Sequence, residues 1–461
     1  MELVDYTRAN SFCADPEGVE TTFTRNDFGK DFYWGTATSA FQIEGAAADY
    51  GRGPSIWDKF TKLPGKIKNN ACATRACDHY HRYEEDLDLL KTLGFTSYRF
   101  SLSWSRIFPD GTGRINPEGV AFYHRLIDAC HERGIEPWIT LYHWDLPQAL
   151  QDRGGWESRQ ILNWFAEYVS FCATEFGDIV KKWIVLNEPM AVAALGYTSG
   201  LHAPGRKGLH RFLPVVHHLA LCQAEGGRLL RQLVPGAYVG TTFSCSPVLP
   251  HSPSPRDVRA AKRLDALLNR LFVEPTLGMG YPTDAFPFLK NIRYFMKPGD
   301  AEKLAFDFDF IGLQNYFQVV VRHSWKKPLL WAEEVKPTGT RTAMGWGVAP
   351  EGLYKILTQF GAYEGIKELI ISENGAAFHD EIKNGEVHDP QRIGFFRDYL
   401  ENVLRARQEG VPVNGYFAWS LLDNFEWAEG YDARFGLVHV DYATQKRTIK
   451  SSGYWFAEFL A

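Results

Sequence analysis

The feature that most constrains the fold is a repeated alternation of short apolar segments with longer amphipathic ones. Short segments with strand-like composition lie at 33–41, 96–102, 136–144, 181–188, 237–243, 308–316, 368–375 and 413–423. Between several of them, apolar residues recur with helical spacing, as in DHYHRYEEDLDLLKTLG, where Gly94 marks the predicted helix end. Because the strand segments are apolar throughout rather than alternating, we expect parallel strands that are covered on both faces.

Eight such strands with helices between them predict an α/β protein, a single (β/α)8 TIM barrel with elaborated loops at the C-terminal mouth. The alternative is an open, doubly wound sheet, but no GxGxxG or P-loop glycine pattern follows a strand. The 461 residues would suffice for about three average domains, yet α/β barrels often exceed that size as one domain. No linker or low-complexity tract divides the chain. We therefore predict one barrel domain over 1–461, with 1–27 as an N-terminal extension.

Composition argues against several classes of partner. Fifty basic and fifty-five acidic side chains give a formal charge of −5, and no segment is strongly basic, so we do not expect nucleic acid to bind. No apolar stretch approaches the roughly 20 residues of a membrane span, and the first twenty residues lack the apolar core of a secretory signal. Seven scattered cysteines without a CxxC pair indicate reduced thiols and a cytoplasmic protein. A homo-oligomer is compatible with the sequence.

Polar and aromatic residues are concentrated at the predicted strand ends. Active sites of (β/α)8 barrels lie at the carboxyl ends of the strands. A single glutamate at such a position is more often solvated or ion-paired than catalytic, so the argument rests on convergence around one opening. The residues concerned are Gln42, Glu44, Arg99, His143, Trp144, Asp145, Asn187, Glu188, Tyr316, Glu373, Asn374 and Trp419.

Two of these residues, Glu188 and Glu373, each end an apolar run. A facing pair of carboxyl groups is what hydrolysis of a glycosidic bond requires, one neutral to protonate the leaving oxygen and one ionised. A separation of about 5 Å would give retention of configuration and about 6.5–9.5 Å inversion, and the sequence leaves both outcomes open. Arg99 and Tyr316 are candidates to keep one carboxylate ionised. Asn187 would point away from the site on a regular strand, but an irregular strand end could turn it inward.

Other conspicuous residues have simpler interpretations. His79 and His81 lack a cysteine pair or a third ligand at fixed spacing, so we expect no metal site, and no cofactor is needed for the chemistry above. The acidic residues of the same segment are predicted to form a solvated helix face: Asp78, Glu84, Glu85, Asp86 and Asp88. Five tryptophans are expected in the core: Trp57, Trp104, Trp138, Trp156 and Trp183.

Several sequence blocks together resemble glycoside hydrolase family 1, the β-glucosidase-like retaining enzymes. The blocks occur in the family's order over about 28–456: FYWGTATSAFQIEGA, YRFSLSWSRIFPDG, LYHWDLPQAL, LNEP, SENG, WSLLDNFEWAEGY and RFGLVHVD. The resemblance implies that Glu188 is the acid/base and Glu373 the nucleophile of a double displacement. It also implies a small-molecule β-glycoside or oligosaccharide substrate, with β-glucosides first and β-galactosides or β-fucosides as further candidates.

The resemblance extends to the residues around the sugar. It implies that Asn187 contacts the 2-hydroxyl, that Trp419 lies beneath the ring, and that Arg99 and Tyr316 are partners of the nucleophile. Trp346 resembles a residue of the outer, aglycone side. The remaining predicted substrate-binding residues are Gln42, His143, Trp144, Glu426, Trp427 and Phe435.

Two positions depart from the family's pattern. Gln314 stands where the family commonly has Asn, before Asn315 and Tyr316, so the role of that Asn is open here, and Ser372 stands where Thr is common. Glu188 itself disfavours thioglucoside-cleaving relatives, which carry Gln, and FEWAEGYDARFG disfavours relatives that bind phospho-sugars. Two other functions stay open: a sugar-binding protein without chemistry, and a barrel enzyme of another class, such as a metal-dependent hydrolase or an aldolase.

Overall fold

The computed structural model describes residues 22–461, so 1–21 of the predicted N-terminal extension lie outside the described residues. Eight parallel strands form a closed barrel in which each strand pairs with its neighbours in the chain and the last pairs with the first. This confirms the predicted (β/α)8 barrel and excludes the open sheet. The strands are β1 (Tyr33–Ala37), β2 (Ser97–Ser101), β3 (Glu136–Tyr142), β4 (Lys182–Asn187), β5 (Tyr238–Ser244), β6 (Phe310–Gln314), β7 (Leu369–Asn374) and β8 (Val413–Trp419).

The longest helix after each strand gives the chain its repeated strand–helix order. The helix predicted from DHYHRYEEDLDLLKTLG is observed at His79–Thr92, within two residues of the predicted bounds. The eight helices are α1 (His79–Thr92), α2 (Pro117–Glu132), α3 (Ile161–Phe176), α4 (Phe212–Leu233), α5 (Pro255–Asp265), α6 (Pro350–Gly361), α7 (Pro390–Gln408) and α8 (Ser451–Leu460).

Short elements elaborate the connections that follow the strands. A three-stranded sheet joins Val248–Pro250, Val319–His323 and Ala332–Glu334, and two-stranded sheets join Ile382–Lys383 with Glu386–Val387 and Val438–Val440 with Arg447–Ile449. Short α- and π-helices are Ala40–Ile43, Ile56–Phe60, Trp104–Ile107, Gln148–Asp152, Pro189–Ala191, Val192–Ser199, Ala266–Arg270, Val273–Thr276 and Asp300–Leu304. The 3-10 turns are Arg25–Phe28, Lys68–Asn70, Gly155–Glu157, Leu209–Arg211, Pro287–Tyr294 and Trp427–Glu429.

The strands are apolar because both of their faces are buried. All five residues of β2 and of β6 are buried, as are all six of β7. The inner faces form one cluster that includes Trp138, Phe310 and Phe417 and continues upward to Trp419. The five tryptophans predicted for the core are fully buried, which confirms that expectation.

The N-terminal end of the barrel is closed by a lysine inside aromatic rings. Lys182, at the start of β4, has its Nζ 4.0 Å from the ring centre of Tyr238, 4.4 Å from that of Tyr33 and 5.2 Å from that of Trp138. Its ammonium also donates to Tyr33 Oη at 2.7 Å. Cation–π contacts of this kind stabilise a partly desolvated charge. This end is therefore packed, whereas the predicted polar strand-end residues lie at the opposite mouth.

The prediction that the acidic residues of α1 form a solvated helix face is wrong for one of them. Glu84, Glu85 and Asp88 of α1 are exposed as expected, but Asp86 is buried. Its carboxylate accepts hydrogen bonds from His79 Nδ1 at 2.8 Å and Arg447 Nε at 2.9 Å. The helical turn points Asp86 inward, and the distant Arg447 supplies the compensating charge that the local sequence could not reveal.

Among residues 22–461, no helix has the length and apolar character needed to cross a bilayer. The same residues contain no cluster of three or more His, Cys, Asp or Glu side chains arranged to hold a metal ion.

Candidate active site

The two predicted carboxylates lie at strand ends whose pairing is irregular. The ladder between β4 and β5 shifts register between Ile184 and Asn187, and the ladder between β7 and β6 shifts between Ile371 and Glu373. Glu188 follows β4 with a left-handed φ of 45°, and its N–H donates to Thr242 O at 3.0 Å. These departures break the regular alternation of side chains, so consecutive residues at the strand ends can both contribute to the site.

Arg99 links the two ends. This fully buried side chain on β2 donates from Nη1 to Glu373 Oε1 at 2.5 Å and from Nη2 to Asn187 Oδ1 at 2.5 Å. Its Nε donates to Thr140 Oγ1 at 3.1 Å, which fixes the plane of the guanidinium. Tyr316 Oη donates to the other oxygen of Glu373, Oε2, at 2.7 Å. Glu373 therefore has a cation and a hydroxyl donor, both of which favour its ionised form.

The environments of the two glutamates differ. Burial raises the pKa of Glu188 well above its usual value, and the negative charge of Glu373 raises it further. A hydrogen bond from Ser244 only partly opposes these effects. Burial also raises the pKa of Glu373 above its usual value, but less than for Glu188, because Arg99 and Tyr316 oppose the shift directly. The arrangement favours a neutral carboxylic acid at Glu188 and a carboxylate at Glu373, which are the two forms that glycosidic cleavage requires.

Asn187 is turned into the site, as the irregular strand end allows. Its Nδ2 lies 3.1 Å from His143 Nε2, and its backbone oxygen accepts from Trp144 Nε1 at 3.0 Å. Burial, followed by the charge of Arg99, holds the pKa of His143 well below its usual range, so the imidazole is neutral. These residues form a polar wall beside the carboxylates.

A second polar group lies at the other side of the mouth. Gln42, which is fully buried, donates from Nε2 to Asn424 Oδ1 at 3.0 Å and reaches Glu426 Oε2 at 3.5 Å. Its Oε1 accepts from Ser39 Oγ at 2.6 Å. Burial raises the pKa of Glu426 to about 8, with a further contribution from Glu373, while hydrogen bonds from Gln42 and Trp419 act in the opposite direction. Glu426 therefore lies close enough to Glu373 for their charges to interact.

Aromatic rings surround these polar groups in two sets. The His143 ring lies 6.0 Å from that of Trp419 and 5.9 Å from that of Trp427, and Trp427 lies 4.6 Å from Trp144. In the second set, Tyr316 is 5.6 Å from Trp346 and 6.0 Å from Phe435. Flat apolar faces next to hydrogen-bonding edges suit a pyranose, whose C–H face packs on rings while its hydroxyls pair at the periphery.

The structure brings all thirteen predicted site residues into this connected set, but two other strand-end acids make different contacts. Glu44 accepts from Arg106 Nε at 2.9 Å and from Tyr123 Oη at 2.7 Å, so its carboxylate is occupied within the protein. Asp145 is also buried, and burial raises its pKa to about 7 against the opposing charge of Arg52.

Sequence reasoning missed three polar contacts: Ser244 with Glu188, Thr140 with Arg99, and Gln314 with Asn187. Each of these residues ends or nearly ends a barrel strand, and Gln314 also departs from the family's pattern, which are the signals that could have identified them.

Comparison with known proteins agrees with this geometry. The sequence model of Glycosyl hydrolase family 1 matches residues 24–461. Beta-glucosidase A of Acetivibrio thermocellus is 44% identical over 438 residues, covering 94% of this chain and 98% of that protein. The 1,4-beta-D-glucan glucohydrolase of Thermotoga neapolitana is also 44% identical, over 94% of this chain and 98% of that protein.

Solved structures extend the similarity to three dimensions. The beta-glucosidase from Thermotoga maritima in complex with glucoimidazole superposes with a TM-score of 0.89 at 43% sequence identity, covering 93% of this chain and 97% of that chain. With a family model spanning nearly the whole chain and relatives of this identity and coverage, the chain belongs to glycosyl hydrolase family 1.

Proposed function

We propose that the protein is a retaining β-glucosidase that hydrolyses terminal, non-reducing β-D-glucosyl residues of small glycosides and oligosaccharides. The observation that carries the proposal is the unequal environment of the two glutamates. Glu373 is bonded to Arg99 and Tyr316, whereas burial and the charge of Glu373 favour a proton on Glu188. The names of the relatives from Acetivibrio thermocellus and Thermotoga neapolitana support glucose as the sugar.

In the first proposed step, a carboxylate oxygen of Glu373 bonds to the anomeric carbon while the bond from that carbon to the leaving oxygen breaks. Glu188 gives its proton to the leaving oxygen, so the alcohol departs neutral and the sugar stays bonded to Glu373. The proton transfer places the negative charge on Glu188 as the negative charge of Glu373 is consumed. The two carboxyl groups therefore never need to be ionised together near the bound sugar.

In the second step, Glu188 acts as a base. It removes a proton from water, whose oxygen bonds to the anomeric carbon as the bond to Glu373 breaks. Two displacements at one carbon return the β configuration. Side chains of this one domain carry out both steps, with Arg99 and Tyr316 stabilising the carboxylate that Glu373 regains.

We propose that the sugar is held between the two polar groups and the rings. Three residues are placed to hydrogen-bond sugar hydroxyls distant from the anomeric carbon: Gln42, His143 and Glu426. Asn187 lies nearer to that carbon, because Arg99 binds both Asn187 and Glu373. Trp419 supplies the floor and Phe435 part of the wall. Trp346, which is only partly buried, lies at the outer side where the departing group would sit.

The direct test is the configuration of the first product. Nitrophenyl β-D-glucoside is incubated with the enzyme, and the anomeric protons are followed by NMR before mutarotation. The proposal predicts that β-glucose appears first and α-glucose only later. Initial α-glucose would mean inversion, and no release at any pH would favour a sugar-binding protein. Loss of activity with a chelator would support the metal-dependent alternative.

A further inference from the structure

Gln314 is a fully buried amide at the end of β6, between the strands that carry the two glutamates. In the ladders, Gln314 is paired with Glu373 of β7 on one side and with Ser244 of β5 on the other. Its Nε2 donates to Asn187 Oδ1 at 2.7 Å, and its Oε1 is buried without a hydrogen-bond partner. Buried polar atoms without partners are rare enough in folded proteins that each calls for an explanation.

The orientation of both amides follows from Arg99. A guanidinium only donates, so the atom of Asn187 that faces Arg99 Nη2 must be Oδ1. Because that oxygen accepts, Gln314 must present its Nε2 to the same atom, and its Oε1 is turned away. Two donors on Oδ1 occupy both of its lone pairs. Asn187 Nδ2 then points to the opposite side. One of its hydrogens is directed at His143 Nε2, and the other is left to bind a ligand.

The two amides therefore leave two donor hydrogens, one on Asn187 Nδ2 and one on Gln314 Nε2, and one unpaired acceptor, Gln314 Oε1. A hydroxyl group can accept one hydrogen bond and donate another at the same time. Asn187 shares Arg99 with Glu373, so these groups adjoin the carboxylate that attacks the anomeric carbon. The sugar hydroxyl nearest to the two amides is therefore the 2-hydroxyl, on the carbon next to the anomeric carbon.

We propose that Gln314 is a substrate-binding residue whose Oε1 accepts the proton of the sugar 2-hydroxyl, while the same hydroxyl accepts from Asn187 Nδ2. The inference rests on the proposed β-glucosidase function and assigns one further contact within it. Hydrogen bonds to the 2-hydroxyl strengthen as the oxocarbenium-like transition state forms, so this contact acts on the rate of cleavage as well as on binding.

The test compares two substrates on one variant. Gln314→Met keeps the length of the side chain but removes both polar atoms. The substrates are dinitrophenyl β-D-glucoside and its 2-deoxy analogue, which lacks only the hydroxyl in question. We expect kcat/KM for the glucoside to fall by about tenfold or more, and the value for the 2-deoxy analogue to change by less than about threefold. The ratio of the two values within one preparation cancels any loss of folded enzyme.

The matched control is Gln223→Met. Gln223 is also fully buried and donates from Nε2 to Thr276 Oγ1 at 2.5 Å, but it lies on α4, outside the barrel. Its substitution should leave the substrate ratio at the wild-type value.

An equal loss on both substrates in Gln314→Met would overturn the inference, because it would mean that the effect of Gln314 on the rate does not depend on the 2-hydroxyl. A loss confined to the basic side of the pH profile, equal for both substrates, would also overturn it and point to a contact with Glu188. If wild-type enzyme released no dinitrophenol from the glucoside, the proposed function itself would fail.

Discussion

At the scale of single residues, the site depends on one cation that serves two neighbours. Arg99 binds both Glu373 and Asn187, so the orientation of the attacking carboxylate and that of the adjacent amide are fixed together. Each contact is charge-assisted and fully buried, which makes it stronger than a neutral hydrogen bond in water. Changes to Arg99 would therefore alter several functions at once, and Tyr316 offers a cleaner probe of Glu373.

Tyr316→Phe removes one donor from Glu373 without changing the shape of the ring. Because the tyrosine hydroxyl stabilises the ionised carboxylate, its loss raises the pKa of Glu373. Activity requires Glu373 ionised, so the acid limb of the profile of kcat/KM against pH should move upward by about one unit. The basic limb, where Glu188 loses its proton, should move much less.

The matched control for this variant is Tyr354→Phe. Tyr354 also donates to a glutamate, Glu409 Oε2, at 2.6 Å, but this pair lies on the surface. The dependence of kcat/KM on pH in Tyr354→Phe should coincide with that of the wild-type enzyme. An acid limb in Tyr316→Phe that stays at the wild-type pH would contradict the role given to the tyrosine.

At the scale of elements, the end of β7 is pressed against the end of β8. A Cβ at Gly375 would lie 1.8 Å from the carbonyl oxygen of Trp419, so only glycine fits there. This close approach brings Glu373 at one strand end next to Trp419 at the other. Steric fit therefore requires glycine at this position of the SENG block, independently of any role in catalysis.

The segments after β7 and β8 are joined by a buried ion network. Lys450 Nζ donates to Asp380 Oδ2 at 2.5 Å and to Asp423 Oδ1 at 2.6 Å. Arg392 donates to Asp380 Oδ2 at 3.0 Å and Arg434 to Asp423 Oδ2 at 2.6 Å. Removing one partner from such a network leaves buried charge uncompensated.

Lys450→Met should therefore reduce the free energy of unfolding by about 3–5 kcal/mol at pH 7. Burial alone would raise the pKa of Asp423, but Lys450 and Arg434 more than offset it, so its pKa in the folded protein is lowered. The stabilisation is thus present above the unfolded pKa of about 3.9 and is lost as pH falls through the folded value. The difference from wild type should shrink in strong acid.

Thermal unfolding at pH 7 and at lower pH measures this effect. Lys383→Met removes an exposed lysine that pairs with Glu381 at the surface and should leave the transition almost unchanged. A Lys450→Met protein with the wild-type midpoint at pH 7 would show that the network contributes little.

The existence of the barrel strands and of the long helices could be predicted because burial on both faces leaves a continuous apolar run. Strand ends are less readable from sequence. The predicted strand 33–41 stops at Ala37 because the next apolar residues belong to the short helix Ala40–Ile43. The predicted strand 413–423 stops at Trp419, and Leu421 and Leu422 are buried in the segment that follows. The small sheet that includes Val319–His323 could not be predicted, since its partners lie in different loops.

At the scale of the whole molecule, the barrel brings distant parts of the sequence to one mouth. The sequence located Glu188, Glu373 and Arg99 as strand-end residues, and the family resemblance supplied expectations for their roles. Neither could reveal that Glu44 is bonded to Arg106 and Tyr123, or that Asp86 meets Arg447, because those partners are distant in the chain. Long-range pairing of buried charges is a property of the folded chain and leaves no local pattern.

The central claim is that Glu373 becomes covalently bonded to the sugar, and trapping that bond tests it most directly. Dinitrophenyl 2-deoxy-2-fluoro-β-D-glucoside has a good leaving group, while its fluorine slows both displacements, so a glycosyl-enzyme should accumulate. Mass spectrometry of the intact protein and of its proteolytic peptides then locates the label. We predict one fluoroglucosyl group per chain, on Glu373 in the SENG segment, with activity returning as the label is hydrolysed. A label on any other residue, or turnover of glucosides without any label, would contradict the account.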